Sequence, residues 1–389
     1  MKPWTSLALL FLAPVALAAP SLPSAREGIA PPDGKAAWVL PAVDKAARLA
    51  EDANAGKGTP LRYATTVAAK GKVAAGEWRT LPDGRAFWRL EIASANAVSL
   101  DVGFSKFFLP QGAELYFASA DGKVVRGPYT DADNTRSGTF WTPVVPGDRA
   151  VLELVVPAGL RQFVALELDA AHPAYRDVFA PAQAKSGSCN IDSVCPQGDP
   201  IRQQIAAEAR YTVGGFVCSG QLVNNTSGDR RRLFTSAHHC FDTQAEANTI
   251  VLYWRYESPT CRTPGSAASG TQIPVDGNSI AQTGGTTLKA TEEDSDFSLV
   301  ELNTAIPAGA NLVTPIQLAA ERIRHKYLGK LSEEEGRVLD RGTHTIVQQV
   351  AAMKEMVDAF NDYARAPQLR IVHLPLNEFV TDVLYLYRD

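Results

Sequence analysis

The run LFTSAHHCFD, Leu233 to Asp242, sets His238 and His239 directly after a short apolar stretch and directly before Cys240. An imidazole held in one place is the usual general base for a hydroxyl nucleophile, provided that a carboxylate fixes its tautomer. Two blander readings compete with it: adjacent histidines satisfied within a loop, or metal ligands. A second His/Cys pair at zinc spacing is missing from the sequence, so neither a metal nor any other cofactor is expected. The chemistry therefore turns on what positions His239 and what stands opposite it.

Three kinds of segment could do the positioning. From about Ala86 to Asp169 apolar residues alternate with period two: Trp88, Leu90 and Ile92, then Val98, Leu100, Val102 and Phe104, then Val164, Leu166 and Leu168. These predict half-buried strands, and turn residues at Pro82-Asp83-Gly84, Asp121-Gly122 and Pro146-Gly147-Asp148 predict a small antiparallel sandwich with no catalytic constellation. A second β-rich region begins at Ser186, holds every cysteine, and has strand-like runs at 215–223, 251–256 and 297–302.

After Val313 there is no Cys, no Trp and a single Ser, and the pattern becomes helical. Ile346, Val350, Met353, Val357, Phe360 and Ala364 step by four and three, as along a helix–helix seam. Ser332 with Glu335 forms a capping box at its start, and Pro367 ends it. Ile316, Ala319, Ile323, Tyr327 and Leu331 make a shorter apolar face before it, so the tail is expected to be a helical hairpin. Its seam serves either self-association or packing as a two-helix appendage.

The amino terminus bears on compartment. Lys2, an apolar run from Leu7 to Leu17 and a small-x-small site at Ala16, Leu17 and Ala18 predict a signal peptide cleaved after Ala18. The run is shorter than the roughly 20 residues of a spanning helix, and no later segment is expected to cross a membrane. A secreted or periplasmic location places Cys189, Cys195, Cys218, Cys240 and Cys261 where disulfides persist, and five is odd. With 38 basic against 42 acidic residues and no basic run, no nucleic-acid partner is expected.

The stretches SGSCNIDSVCPQGD, CSGQLVNNTSGDRRRLFTSAHHC, VLYWRYESPTCRTPGS and DSDFSLVELN, in that order between Ser186 and about Leu312, resemble the first half of the secreted bacterial lysyl endopeptidases, which are trypsin-like serine proteases. The resemblance implies His239 as the base and Asp296 as its orienting carboxylate, although Asp294 lies close enough to blur that choice. It also implies disulfides joining Cys218 with Cys240 and Cys195 with Cys261, leaving Cys189 unpaired. Lys185 precedes Ser186, where mature members begin, so the sandwich is expected to be a propeptide removed at that bond. The fold class implied is mainly β with an α-helical tail. Residues 1–18 are a signal peptide, 19–185 a β-sandwich propeptide, 186–312 the N-terminal barrel of a trypsin-like double barrel, and 313–389 a helical hairpin.

In such enzymes the nucleophile follows the orienting Asp, in a Gly-flanked loop on a second barrel. Beyond Asp296 only Ser298, inside a predicted strand, and Ser332, at a helix cap, remain within these residues, and neither has glycine neighbours. The serine endopeptidase implied by family, with protein or peptide substrates cut after Lys, is thus expected to be inactive in this chain.

The tail, TPIQLAAERIRHKYLGKL followed by LDRGTHTIVQQVAAMKEMVDAFNDYARAP, resembles the dimerisation and phosphotransfer hairpin of nitrogen-regulation-type sensor histidine kinases. Aligned on Thr314, Pro315, Ile316 and Gln317, it places Pro307 where the phosphoacceptor histidine belongs. His325, His344 and His373 begin no such motif, so autophosphorylation is not expected. The chain is read as a join of two gene fragments whose main identity is the protease precursor. The alternative is a signalling or dimerisation module, and a third reading is an inactive secreted binding protein.

Overall fold

The computed structural model describes residues 21–30, 37–56, 59–69, 77–178, 191–225, 229–266, 280–308 and 310, and in the tail 323–324, 327, 330–346 and 348. The signal-like segment, Lys185, Ser186, Cys189, Pro367 and most of the predicted hairpin lie outside the described residues. The chain divides into two compact units, Met1–Val313 and Thr314–Asp389.

The first unit opens with two facing sheets. One runs Trp38–Val39, Ala86–Ala93, Arg149–Val156, Glu114–Ser119, Val125–Tyr129, with Glu77–Thr80 also paired to Ala86–Ala93. The other runs Phe140–Trp141, Val102–Phe108, Ala165–Ala171, Val67–Ala68. Trp88, Leu90 and Ile92 point from Ala86–Ala93 into the core, as their period-two spacing dictates. Phe107 and Phe140 stack at 4.3 Å across the second sheet. Gly103 sits under the Trp141 ring, where a Cβ would fall 2.2 Å from it, so only glycine fits.

Two details depart from the alternating pattern. The run Val98 to Phe104 is broken into Ser99–Leu100 and Val102–Phe108 by Asp101, and Val98 is partly exposed. Arg149–Val156 is buried on both faces rather than one. The outer face is covered by the segment from Pro23 to Ile29, and the one carboxylate there, Glu153, accepts from Arg89 Nη2 at 2.8 Å and from the Ser24 backbone N–H at 2.8 Å. A buried charge requires such partners.

The second part of this unit is one antiparallel sheet in the order Ile280–Gln282, Val251–Trp254, Glu208–Val213, Phe216–Val223, Leu233–Ser236, Phe297–Leu302, Thr286–Glu292. Its core holds Tyr211, Phe234, Phe241 and Trp254 in edge-to-face contact. Gly214 and Gly215, both at positive φ, form the two-residue hairpin loop between the strands ending at Val213 and starting at Phe216.

The sandwich and this sheet are continuous. Leu61–Arg62 pairs with Phe216 and Val217, and the Tyr63 and Ala64 N–H groups both donate to Gly215 O, at 2.9 and 3.2 Å. Tyr63 in turn donates to Asp101 Oδ2 at 2.6 Å, anchoring the crossing segment in the sandwich. Tyr63, Ala64, Trp141, Val144, Val217, Val251 and Tyr253 share one buried apolar cluster, and the Val144 N–H donates to the Tyr253 hydroxyl at 3.0 Å.

In the second unit residues 333–346 are helical. Ser332 caps them: its N–H and hydroxyl both meet Glu335 Oε2, and the Glu335 N–H donates back to Ser332 Oγ at 3.4 Å. Among the described residues no helix is long and apolar enough to cross a membrane.

Candidate active site

His239 owes its place to a strand, a turn and a disulfide. Leu233–Ser236 is fixed by Phe234, whose ring packs between Tyr211 and Trp254 at 5.8 and 5.9 Å. The chain then makes one 3-10 turn, His238–Cys240, and Cys240 is bonded to Cys218 on the neighbouring strand Phe216–Val223. The imidazole is therefore held beside the end of a paired strand rather than on a free loop.

Asp296 arrives from the hairpin formed by Thr286–Glu292 and Phe297–Leu302. Its N–H closes the turn onto Glu293 O at 3.0 Å, and its φ of 48° lies in the left-handed region that costs a non-glycine residue energy. His239 Nδ1 lies 2.9 and 2.8 Å from the two carboxylate oxygens, and the His239 backbone N–H donates to Oδ1 at 3.0 Å. The Asp296 carboxyl is held below the usual range, first by that backbone N–H and then by the imidazole. An ionised carboxylate only accepts, so Nδ1 carries the proton and Nε2 is the nitrogen able to take one. Asp294 does not share this role: its N–H donates to Glu292, and the side chain that meets His239 is that of Asp296.

A carboxylate that orients a catalytic imidazole is ordinarily buried. Here the His239 and Asp296 side chains are 42% and 51% exposed, because no described element covers the end of the sheet where they meet. Two hydroxyls near them are bound to backbone carbonyls. Ser236 donates to Ser219 O at 2.9 Å, and Ser298, wholly buried, donates to Phe241 O at 2.8 Å.

Cys195 is bonded to Cys261, and the adjacent Arg262 grips Asp192 with Nε at 2.9 Å and Nη2 at 2.6 Å, closing the entry of the chain against the same loop. Cys218, His239 and Cys240 come within 4.8 Å of one another, a metal-like grouping. Both sulfurs are joined in the disulfide and offer no thiolate.

The sequence did not point to a second His–Asp pair. His172 Nδ1 lies 2.7 Å from Asp101 Oδ1 with Trp141 stacked on the ring at 4.5 Å, yet both side chains are almost completely buried in the sandwich. With Tyr63 on the other carboxylate oxygen this is a structural anchor closed to substrate.

Two family models match the chain: the lysyl endopeptidase N-terminal domain over residues 39–170 and the lysyl endopeptidase C-terminal domain over residues 183–314. The lysyl endopeptidase of Pseudomonas aeruginosa is 31% identical over 255 residues, which are 60% of this chain and 52% of that protein. The chain thus spans about half the length of this curated relative. A stretch of 78 residues, 20% of the chain, is 35% identical to the nitrogen regulation protein NtrY of Azorhizobium caulinodans and covers 10% of it. The matched domains, the trypsin-like sheet and the disulfides of its cysteines agree, and the chain belongs to the lysyl endopeptidase family.

Proposed function

We propose that this chain is a secreted precursor of the lysyl endopeptidase type in which His239 is the general base and Asp296 its orienting carboxylate, with no serine nucleophile among the 389 residues, so that it does not hydrolyse peptide bonds. One observation carries the reading. The His239–Asp296 pair is formed through Nδ1, which leaves Nε2 as the nitrogen able to take a proton, while the hydroxyls of Ser236 and Ser298 are turned to backbone carbonyls. A base with no hydroxyl to deprotonate cannot start acyl transfer.

In this reading residues 1–18 direct export, 19–185 form the propeptide, the Lys185–Ser186 bond is the processing site, and 313–389 are a kinase-like hairpin joined to the truncated protease domain. The substrates the family implies are proteins and peptides cut after lysine. The purified chain is expected to turn over neither lysyl nor arginyl esters and to take no label from a phosphonate that traps activated serine. Hydrolysis by homogeneous material that is lost in His239→Ala would overturn the proposal.

The similarity to NtrY favours a second reading for the tail alone, self-association through the helical seam. Crosslinking the full chain tests it: a dimer linked through residues 314–389 supports it, and a monomer at all concentrations refutes it.

A further inference from the structure

His238 stands beside the candidate base and contacts a different partner. Its Nδ1 lies 2.8 Å from Thr291 Oγ1, which lies 2.9 Å from Ser298 Oγ, which donates to Phe241 O at 2.8 Å. Counting protons fixes every direction in this chain. A carbonyl only accepts, so the single Ser298 proton is committed to Phe241 O. Thr291 must then donate to Ser298, and its own single proton is committed in turn. What remains for the contact with His238 is an N–H on the ring: Nδ1 donates to Thr291.

The chain closes a loop through the covalent structure. Phe241 lies three residues after His238, on the far side of the turn that carries His239. Thr291 and Ser298 are cross-strand partners, the second pair from the turn that carries Asp296. We infer that His238 is a positioning residue: as its Nδ1–H tautomer it fastens the turn bearing His239 to the hairpin bearing Asp296, through Thr291 and Ser298. The inference rests on reading His239 and Asp296 as base and orienting carboxylate. It assigns the two adjacent histidines separate tasks, one facing the carboxylate and one holding the distance to it. The ring's other nitrogen, Nε2, faces Asp242 Oδ2 at 3.7 Å.

Histidine-selective 15N NMR on the full chain at neutral pH reads the tautomer directly. His238 is expected to carry its proton on Nδ1, the reverse of the preference of free histidine. In Thr291→Val the signal is expected to become a mixture of tautomers, and the Asp296 carboxyl, followed by 13C, is expected to titrate higher, toward the ordinary Asp range. Thr291→Ser is expected to restore both. Should Thr291→Val fail to fold by circular dichroism, His238→Ala is expected to shift Asp296 in the same way and His238→Asn, whose amide can donate to Thr291, to restore it. A proton on Nε2 of His238 in the unsubstituted chain, or an Asp296 titration unmoved by these changes, overturns the inference. None of these readouts needs turnover, so they decide it whether or not the chain proves to be a protease.

Discussion

A carboxylate gripped by two cations resists protonation, and Glu301 in the 297–302 strand is the clear instance. Arg231 donates to both its oxygens, at 3.1 and 2.7 Å, and Lys289 Nζ lies 2.9 Å away, so its pKa falls to about 2, with the Arg231 hydrogen bonds as the first cause. Because the folded value is the lower one, the stabilisation is complete above the unfolded value of about 4.3 and disappears as pH drops toward 2. Denaturant midpoints measured from pH 5 to pH 2 should fall less steeply in Glu301→Gln than in the parent chain, by a modest amount because all three side chains are partly exposed. Ser298→Ala is expected to cost about 1–3 kcal/mol in the same assay, since it leaves Phe241 O without its buried donor. Legibility at this scale followed sequence locality. His239 stands out through its neighbour Cys240, whereas Asp296 and Asp294 lie two residues apart, and the turn conformation that brings Asp296, at a left-handed φ, to the imidazole is invisible in composition. The His172–Asp101 anchor joins residues 71 apart with no motif between them, and nothing local could have announced it.

Elements were legible where one rule governed them. The 297–302 strand and the 333–346 helix with its Ser332 cap follow from alternation and from capping chemistry. Ser332→Ala should lower the stability of that helix by about 1 kcal/mol, seen as earlier loss of helical circular dichroism on heating. The 149–156 strand was not legible as a doubly buried element, because its second cover comes from a segment more than a hundred residues away and its polar residue is neutralised by Arg89. The turn at 238–240 depends on a covalent tie rather than on propensity. The Cys218–Cys240 bond closes a loop with a separation of 22 residues, so replacing both by serine should remove about 3 kcal/mol by the chain-entropy estimate. The same change should loosen the His239 ring. Urea unfolding gives the first quantity, and broadening of the His239 resonances under native conditions gives the second.

For the molecule as a whole, the decisive fact is that the two β structures on either side of the proposed Lys185–Ser186 processing site share both a sheet and an apolar cluster. The Leu61–Arg62 strand pairs with the protease-family sheet, Gly215 O takes two N–H groups from Tyr63 and Ala64, and Val144 is hydrogen-bonded to Tyr253 within a cluster built from both sides. Parting them would return Tyr63, Trp141, Val217, Val251 and Tyr253 to water, and burial of an aromatic or branched side chain is worth about 1.5–3 kcal/mol each. A severed peptide bond removes none of these contacts. Native cleavage at Lys185 by an added lysine-specific protease should therefore give two fragments that co-elute on gel filtration and separate only in denaturant. Tyr63→Ala withdraws the residue that belongs to both the crossing segment and the Asp101 anchor, and should release the fragments at lower urea, with a loss of about 3–5 kcal/mol. Fragments of the parent chain that part spontaneously in buffer would mean that the shared strand and cluster do not hold the two β structures together once the covalent link is gone.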